Sequence, residues 1–290
     1  MPLDLRDSTL NLTVVNDNAR YPGWGTSSTA RGTSLVVFTF RVARREELPG
    51  PVLLELLSSL DVSPGAARAV LLRMRRAGWL DVARHGRQAT YRLSPLLSSS
   101  AQRLVEILGA APPWDGTFFG LLYSVPEGER AFRDALRRAA MLAGYGMLRP
   151  GLLISPVDRS EDLRWSLDRE RGTAQVLSLR LSLSTEDARD VAAEVWSLTS
   201  LAAAYRRRAT VLRRQLTAVR RRPPAASQVL RRYAGALLPV FEVASRDPGL
   251  PGELLGDDWP GREVGRLVAE TFATMGPMVT DYVSQLLSRP

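Results

Sequence analysis

Arginine is the side chain through which this sequence could do most chemistry. All 39 of its basic residues are arginine and none is lysine, against 30 acids in 290 residues, which leaves a formal charge of +9. A GC-rich codon bias accounts for most of that preference over lysine. Guanidinium is nevertheless always charged and meets phosphate through a planar fork, so anionic partners are favoured, nucleic acid first. Other chemistries are excluded by residue type. The chain has no cysteine, which removes disulfide frameworks, thiolate zinc sites and cysteine nucleophiles. His85 is the sole histidine, which removes the usual Ser-His-Asp triads and any metal site that needs two imidazoles.

The arginines matter by position. Residues 31–97 hold eleven arginines against five acids and residues 199–290 hold fourteen against eight, so each of these segments carries +6. Residues 98–198 come to −2 and residues 1–30 to −1. A near-neutral middle between two basic ends places an anionic partner at the ends. In the first basic segment, Ser63 followed by Pro64 is a capped helix start, and Ala67, Val70, Leu71 and Met74 form an inward stripe up to the terminator Gly78. The outward face then holds Gly65, Arg68, Ala69, Leu72, Arg73 and Arg76. Arginines on such a face suit base edges or phosphates, and Ala69 or Leu72 suits a thymine methyl.

Three further elements must hold that helix in place. Ser34 is placed to cap a helix whose apolar positions Leu35, Phe38 and Val42 recur at spacings of three and four, and a second helix fits residues 51–60 with Pro51 in its first turn. After the third helix, LDVARHGRQATYRL alternates as a hairpin, with Leu80, Val82, Ala89, Tyr91 and Leu93 on one side. His85-Gly86 forms its tip between Arg84 and Arg87, a pair suited to phosphates, and His85 reads as a turn residue rather than a titrating switch. Three helices and a basic hairpin in this order describe a winged helix-turn-helix. The candidate DNA-contacting set is Ser63, Gly65, Arg68, Ala69, Arg73, Arg84 and Arg87. An ordinary basic helical subdomain with solvated arginines is the competing account.

From residue 31 onward the chain resembles the PaaX-type transcriptional regulators, the family named for repressors of phenylacetic acid catabolism. Gly78, Trp79 and Leu80 match the GWL that precedes the family's basic hairpin; WDGTFFGLLYSVPE at 114–127 resembles its WDG, apolar strand and IPE. GYGMLRPGLLISP at 144–156 and LPGELLGDDWPG at 250–261 resemble two later signatures, in the family's order. Gly65, Ala69 and Leu72 stand where members commonly carry bulkier polar residues, so base preferences do not transfer to this helix.

The middle reads as α+β from its own pattern: an apolar strand from Phe118 to Val125, an amphipathic helix from Glu127 to Leu142, and strands over 152–155 and 174–183. The resemblance implies a ferredoxin-like module similar to the CRISPR-associated spacer-acquisition nucleases, a fold used to pair two subunits. In those nucleases a carboxylate at the end of the first strand binds magnesium. Ser124 occupies that place, which argues against an active nuclease, and Asp115 reads as a turn or cap residue. From Ser184, which with Asp187 resembles a capping box, Val191, Val195, Leu198 and Leu201 form a stripe in a helix expected to run past Tyr205. The arginines at 206–208, 213, 214 and 220–222 are the densest cluster and either follow flanking DNA phosphates or form a solvated helix face. Residues 228–287 read as a helical bundle with Trp259 near its centre.

The expectation is therefore a multidomain α+β protein: a flexible tail over 1–30, a winged-helix DNA-binding domain over 31–97, a ferredoxin-like module over 112–200 and a C-terminal helical domain over 201–290. Breaks are expected at Ser98 to Ser100, Pro112-Pro113 and Pro223-Pro224. The expected function is a transcriptional regulator, of the repressor kind, that binds double-stranded DNA as a homodimer on a palindromic operator. It uses no cofactor or metal and is not an enzyme. A metal-dependent nuclease and a nonspecific nucleic-acid-binding scaffold are the alternatives. The family's best-known signal is an aryl-CoA thioester; an acyl-CoA or aromatic effector would need apolar walls with arginines, and Trp165, Tyr205 and Arg206, with Trp196 close in sequence, supply those types. No basic n-region or run of about 18 apolar residues is present, so a cytoplasmic protein off the membrane is expected.

Overall fold

The computed structural model describes residues 28–85, 88–109, 111–163 and 173–288. The chain opens with α1 (Ser28–Ala43), β1 (Glu47–Pro49), α2 (Gly50–Ser58), α3 (Pro64–Arg76), β2 (Leu80–His85), β3 (Gln88–Leu93) and α4 (Pro95–Ile107). A sheet of order β1-β3-β2 flanks the first three helices, with Leu80 opposite Leu93 and Val82 opposite Tyr91. Both ends of this head depart from expectation. Helix α1 begins at Ser28, so Ser34 lies inside it rather than at its start, and its fully buried run is Val36 to Phe40. In the hairpin His85 pairs with Gln88, which puts His85 in the strand, while Gly86 and Arg87 lie outside the described residues.

Helix α4 overrides the expected break at Ser98 to Ser100. Ser94 caps it and Pro95 starts it, while the Ser99 and Ser100 hydroxyls donate to the Leu96 carbonyl at 3.1 and 2.7 Å, so these serines are satisfied within the helix. The central sheet follows: β4 (Thr117–Ser124), α5 (Arg130–Ala143), β5 (Gly146–Arg149), β6 (Leu152–Ser155) and β7 (Gln175–Ser182), in the order β5-β6-β4-β7. Every pairing is antiparallel, so β4 and β5 run parallel with β6 inserted between them and α5 as their connection.

The remaining helices are α6 (Thr185–Val195), α7 (Leu198–Arg221), α8 (Ala226–Ala244) and α9 (Gly261–Leu287). The helix expected to run on from Ser184 past Tyr205 stops at Trp196, whose backbone is extended and whose ring is buried 6.0 Å from that of Phe118. Burial of one indole against the sheet decides the boundary against the helical periodicity.

Burial follows an unequal plan. One core runs from α1, α2 and α3 through α7, α8 and α9, so the head and the helical end share their apolar interior. Phe38, Tyr233 and Phe272 carry it across three helices, with centroids 5.9 and 6.3 Å apart. The central sheet keeps two cores of its own. Leu121, Tyr123 and Leu153 face α5, while Phe118 and Ile154 face α6 and Trp196.

Candidate nucleic-acid interface

Helix α3 begins where the sequence places it. The Ser63 hydroxyl accepts from the Ala66 N–H at 3.3 Å, and Pro64 occupies the first turn. Ala67, Val70, Leu71 and Met74 are buried at 1–4% exposure. Gly32 on α1 sets how deeply the helix seats: a Cβ there would stand 2.4 Å from Val70 Cγ2, so α1 and α3 approach more closely than any larger residue permits. The opposite face, with Gly65, Arg68, Ala69, Leu72, Arg73 and Arg76, is exposed. Leu72 keeps 45% of its surface, and a Cβ at Gly65 would meet nothing within 4 Å. Among the described residues Arg68, Arg73, Arg75 and Arg76 have no acidic partner. No acid stands in the first turn to offset the positive end of the helix dipole.

The turn into α3 is tied to the far end of the chain. Asp61 has φ of +62°, a left-handed conformation that aspartate tolerates, and its carboxylate accepts from Arg231 Nε of α8 at 2.9 Å. Ser59 and Tyr282 of α9 share a hydroxyl hydrogen bond of 2.9 Å. Beside the hairpin, Arg92 on β3 pairs with Glu47 on β1, a strand that sequence periodicity misses because three residues are too few to alternate. Arg84 lies on β2 opposite Ala89, and Arg87 lies outside the described residues.

Of the residues suggested for an effector, Tyr205 and Arg206 take opposite environments, one buried and one exposed. Trp165 lies outside the described residues. Tyr205 is fully buried and donates its hydroxyl to Asp247 Oδ2 at 2.8 Å, whereas its neighbour Arg206 turns outward to Asp258 at 2.6 Å. Trp196 is held in the core under the central sheet. Tyr205 takes part in a buried polar node that the sequence did not disclose. Gly249 N–H donates to Asp247 Oδ1 at 2.8 Å, and Arg103 of α4 donates to the carbonyls of Asp247 and Ser245 at 2.9 and 3.3 Å. Burial raises the Asp247 carboxyl above the usual range, against the Gly249 N–H, the Tyr205 hydroxyl and the Arg103 charge, and burial lowers Arg103 to about 10. The available signal was one arginine inside the apolar stripe Leu96, Leu97, Ala101 and Leu104; reading a break at the serines hid it.

At the end of β4, Ser124 is exposed and pairs in register with Gln175. A hydroxyl beside an amide does not fit a magnesium ion, which takes carboxylate oxygens. Among the described residues no group of three or more His, Asp or Glu side chains could hold a metal, and no helix is long and apolar enough to cross a membrane.

Known proteins resemble the chain along most of its length. Transcriptional repressor PaaX of Escherichia coli (strain K12) is 28% identical over 240 residues, 79% of this chain and 75% of that protein. An uncharacterised protein of Mycobacterium tuberculosis with a solved structure is 24% identical, with a TM-score of 0.46 over 88% of this chain and 99% of that one. Residues 31–96 match the family described as PaaX-like protein, residues 111–192 the PaaX protein central Cas2-like domain, and residues 196–285 the PaaX-like protein C-terminal domain. Head, central sheet and helical end are thus each matched in the family's own order, and the chain belongs to the PaaX family.

Proposed function

We propose that the protein is a sequence-specific, double-stranded-DNA-binding transcriptional regulator of the repressor kind. The observation that carries this is the outward face of α3: arginines without acidic partners among the described residues, around an exposed Leu72, on a helix whose other face and N-cap are fixed. The head is a winged helix-turn-helix in this proposal, with α3 in the major groove and the β2–β3 hairpin along the backbone. Arg68 and Arg73 reach base edges or adjacent phosphates, Ala69 and Leu72 a thymine methyl, and Arg84 and Arg87 phosphates. Ser63 and Gly65 keep the helix start capped and unobstructed. The test is binding to a duplex selected from a random pool, measured against excess nonspecific competitor DNA. Arg68→Ala or Arg73→Ala is expected to lose about 1–3 kcal/mol and to change base preference, whereas Arg84→Ala is expected to weaken all sequences alike. Unchanged affinity and preference in both reading-helix variants would remove α3 from the groove, and indifference to sequence would leave a nonspecific scaffold.

The same proposal gives the central module a ferredoxin-like fold and a role in homodimerisation, which matches two heads to a palindromic operator. The split βαβ order of β4, α5, β5 and β6 supports the fold. Support for pairing comes from Leu122 and Leu177, opposed in register and 44% and 60% exposed on the half of the sheet that α6 leaves uncovered. Domain limits at 31–97, 112–200 and 201–290 go with this assignment. Release by an acyl-CoA thioester or related aromatic metabolite rests on the family resemblance, and operator-release titration with an acyl-CoA panel tests it.

A further inference from the structure

The arginine cluster of α7 divides into two rows with different fates. Arg206, Arg213 and Arg220, spaced by seven residues, meet Asp258, Glu263 and Glu270 on or just before α9, the first and last at 2.6 and 3.1 Å. Each acid that faces this row is used by it. One residue further on, Arg207, Arg214 and Arg221 are exposed, and among the described residues none of them has an acidic partner. Tyr205, Ala209, Leu212, Leu216 and Val219 fix the buried direction of the helix. At 3.6 residues per turn the second row stands on the opposite side, pointing straight out from the bundle.

This outer row is not an ordinary solvated face balanced by its own acids. Helix α7 contains no aspartate or glutamate, and Thr210 and Thr217, which flank the row, turn their hydroxyls back onto the Arg206 and Arg213 carbonyls at 3.1 and 3.0 Å. Seven residues at 1.5 Å rise separate neighbouring arginines by about 10.5 Å, so the row is a line of positive charge about 21 Å long. A line of that length fits an extended polyanion better than a small ligand.

Its position names the polyanion. The row ends at Arg221 and Arg222, and two prolines then turn the chain into α8, where Arg231 grips Asp61 in the turn before α3. Arg232, exposed and without an acidic partner among the described residues, stands beside that contact. The C-terminal end of the charged line is thus joined, through the short connection and the first turns of α8, to the contact that holds the turn before α3. We propose that Arg207, Arg214 and Arg221, with Arg222 and Arg232, hold backbone phosphates of duplex DNA flanking the site read by α3, so that the C-terminal bundle is a second, sequence-independent part of the DNA interface. This rests on the assignment of α3 to the major groove.

The experiment uses the full chain and two selected duplexes that share a core: one trimmed to the core, one extended by about 15 base pairs on each side. The variant carries Arg207→Gln, Arg214→Gln and Arg221→Gln, three solvent-facing changes to a good helix former. Its melting temperature is expected to equal the parent's. On the extended duplex it is expected to bind at least about tenfold more weakly at physiological salt, with the slope of log affinity against log salt reduced by about 3 for each protomer bound, one per lost phosphate contact. On the trimmed duplex the variant and the parent are expected to agree. Equal affinity and slope on the extended duplex would overturn the proposal and leave the row to an acidic protein surface. A parent that binds both duplexes alike would overturn it as well. Failure of the α3 assignment shows differently: Arg68→Ala then has no effect on either duplex.

Discussion

The head and the central sheet bury themselves by opposite plans. The head has only one apolar side of three short helices and closes it against α8 and α9, which lie more than a hundred residues later in the chain. The central sheet is covered on one face by α5 and on the other by α6, elements that adjoin its own strands. The difference teaches which parts move together. The outward face of α3 stands on a core shared with the C-terminal helices, while the sheet is joined to that unit largely by α4 and the node around Arg103 and Asp247.

The largest expected effect tests the shared core. Phe38 is 4% exposed and packs on Tyr233, and Phe38→Ala is expected to cost about 3–5 kcal/mol. Hydrogen exchange should quicken in α7, α8 and α9 as well as in the head, with the central sheet unchanged. Leu121→Ala, at a site 1% exposed under α5, is expected to cost about 2–5 kcal/mol and to quicken exchange only in the sheet. If Phe38→Ala left the C-terminal helices protected, the head and the bundle would be independent units.

Next in size is the buried node. Asp247→Ala leaves the Tyr205 hydroxyl and the Gly249 N–H without their acceptor and is expected to cost about 1–3 kcal/mol in chemical denaturation. Asp247→Asn should cost less and should also change the pH dependence. The folded carboxyl lies above its unfolded value, so the stability it contributes is full in acid and is lost as pH rises through the folded value. Parent and Asn variant should therefore differ in the slope of stability against pH across that window, the parent being relatively stronger at its acid end; parallel slopes would contradict the assignment. The smallest effect is expected at the tie between the two halves of the shared core. Arg231→Ala removes an exposed ion pair and should cost about 0.2–1 kcal/mol, while exchange at residues 59–64 quickens.

Sequence patterns revealed what local chemistry decides. Ser63, Pro64 and the stripe Ala67, Val70, Leu71 and Met74 located α3 and its outward face, because a cap and a 3.6-residue period are properties of neighbouring residues. The same local logic failed where distant packing wins. Strand β1 exists because β3 offers it an edge, Trp196 ends a helix because Phe118 and the sheet bury its ring, and the serines of α4 stay helical by bonding to Leu96. The arginine cluster was visible as a count. Only Asp258, Glu263 and Glu270, about fifty residues further on, separate its compensated row from the row that has no acidic partner among the described residues.

The shared core also sets an order of events during synthesis. The head is made well before α9, the helix that packs against α1 and α2. Until α9 arrives, part of the head's apolar surface has no cover. Long-range closure of this kind delays folding and leaves the nascent segment prone to association. A prematurely terminated chain would retain every residue of α3 without the support that fixes it. The proposed DNA-binding face of α3 thus needs chains in which α9 is present, and fragments that stop before α9 are expected to be cleared rather than to compete with the longer protein.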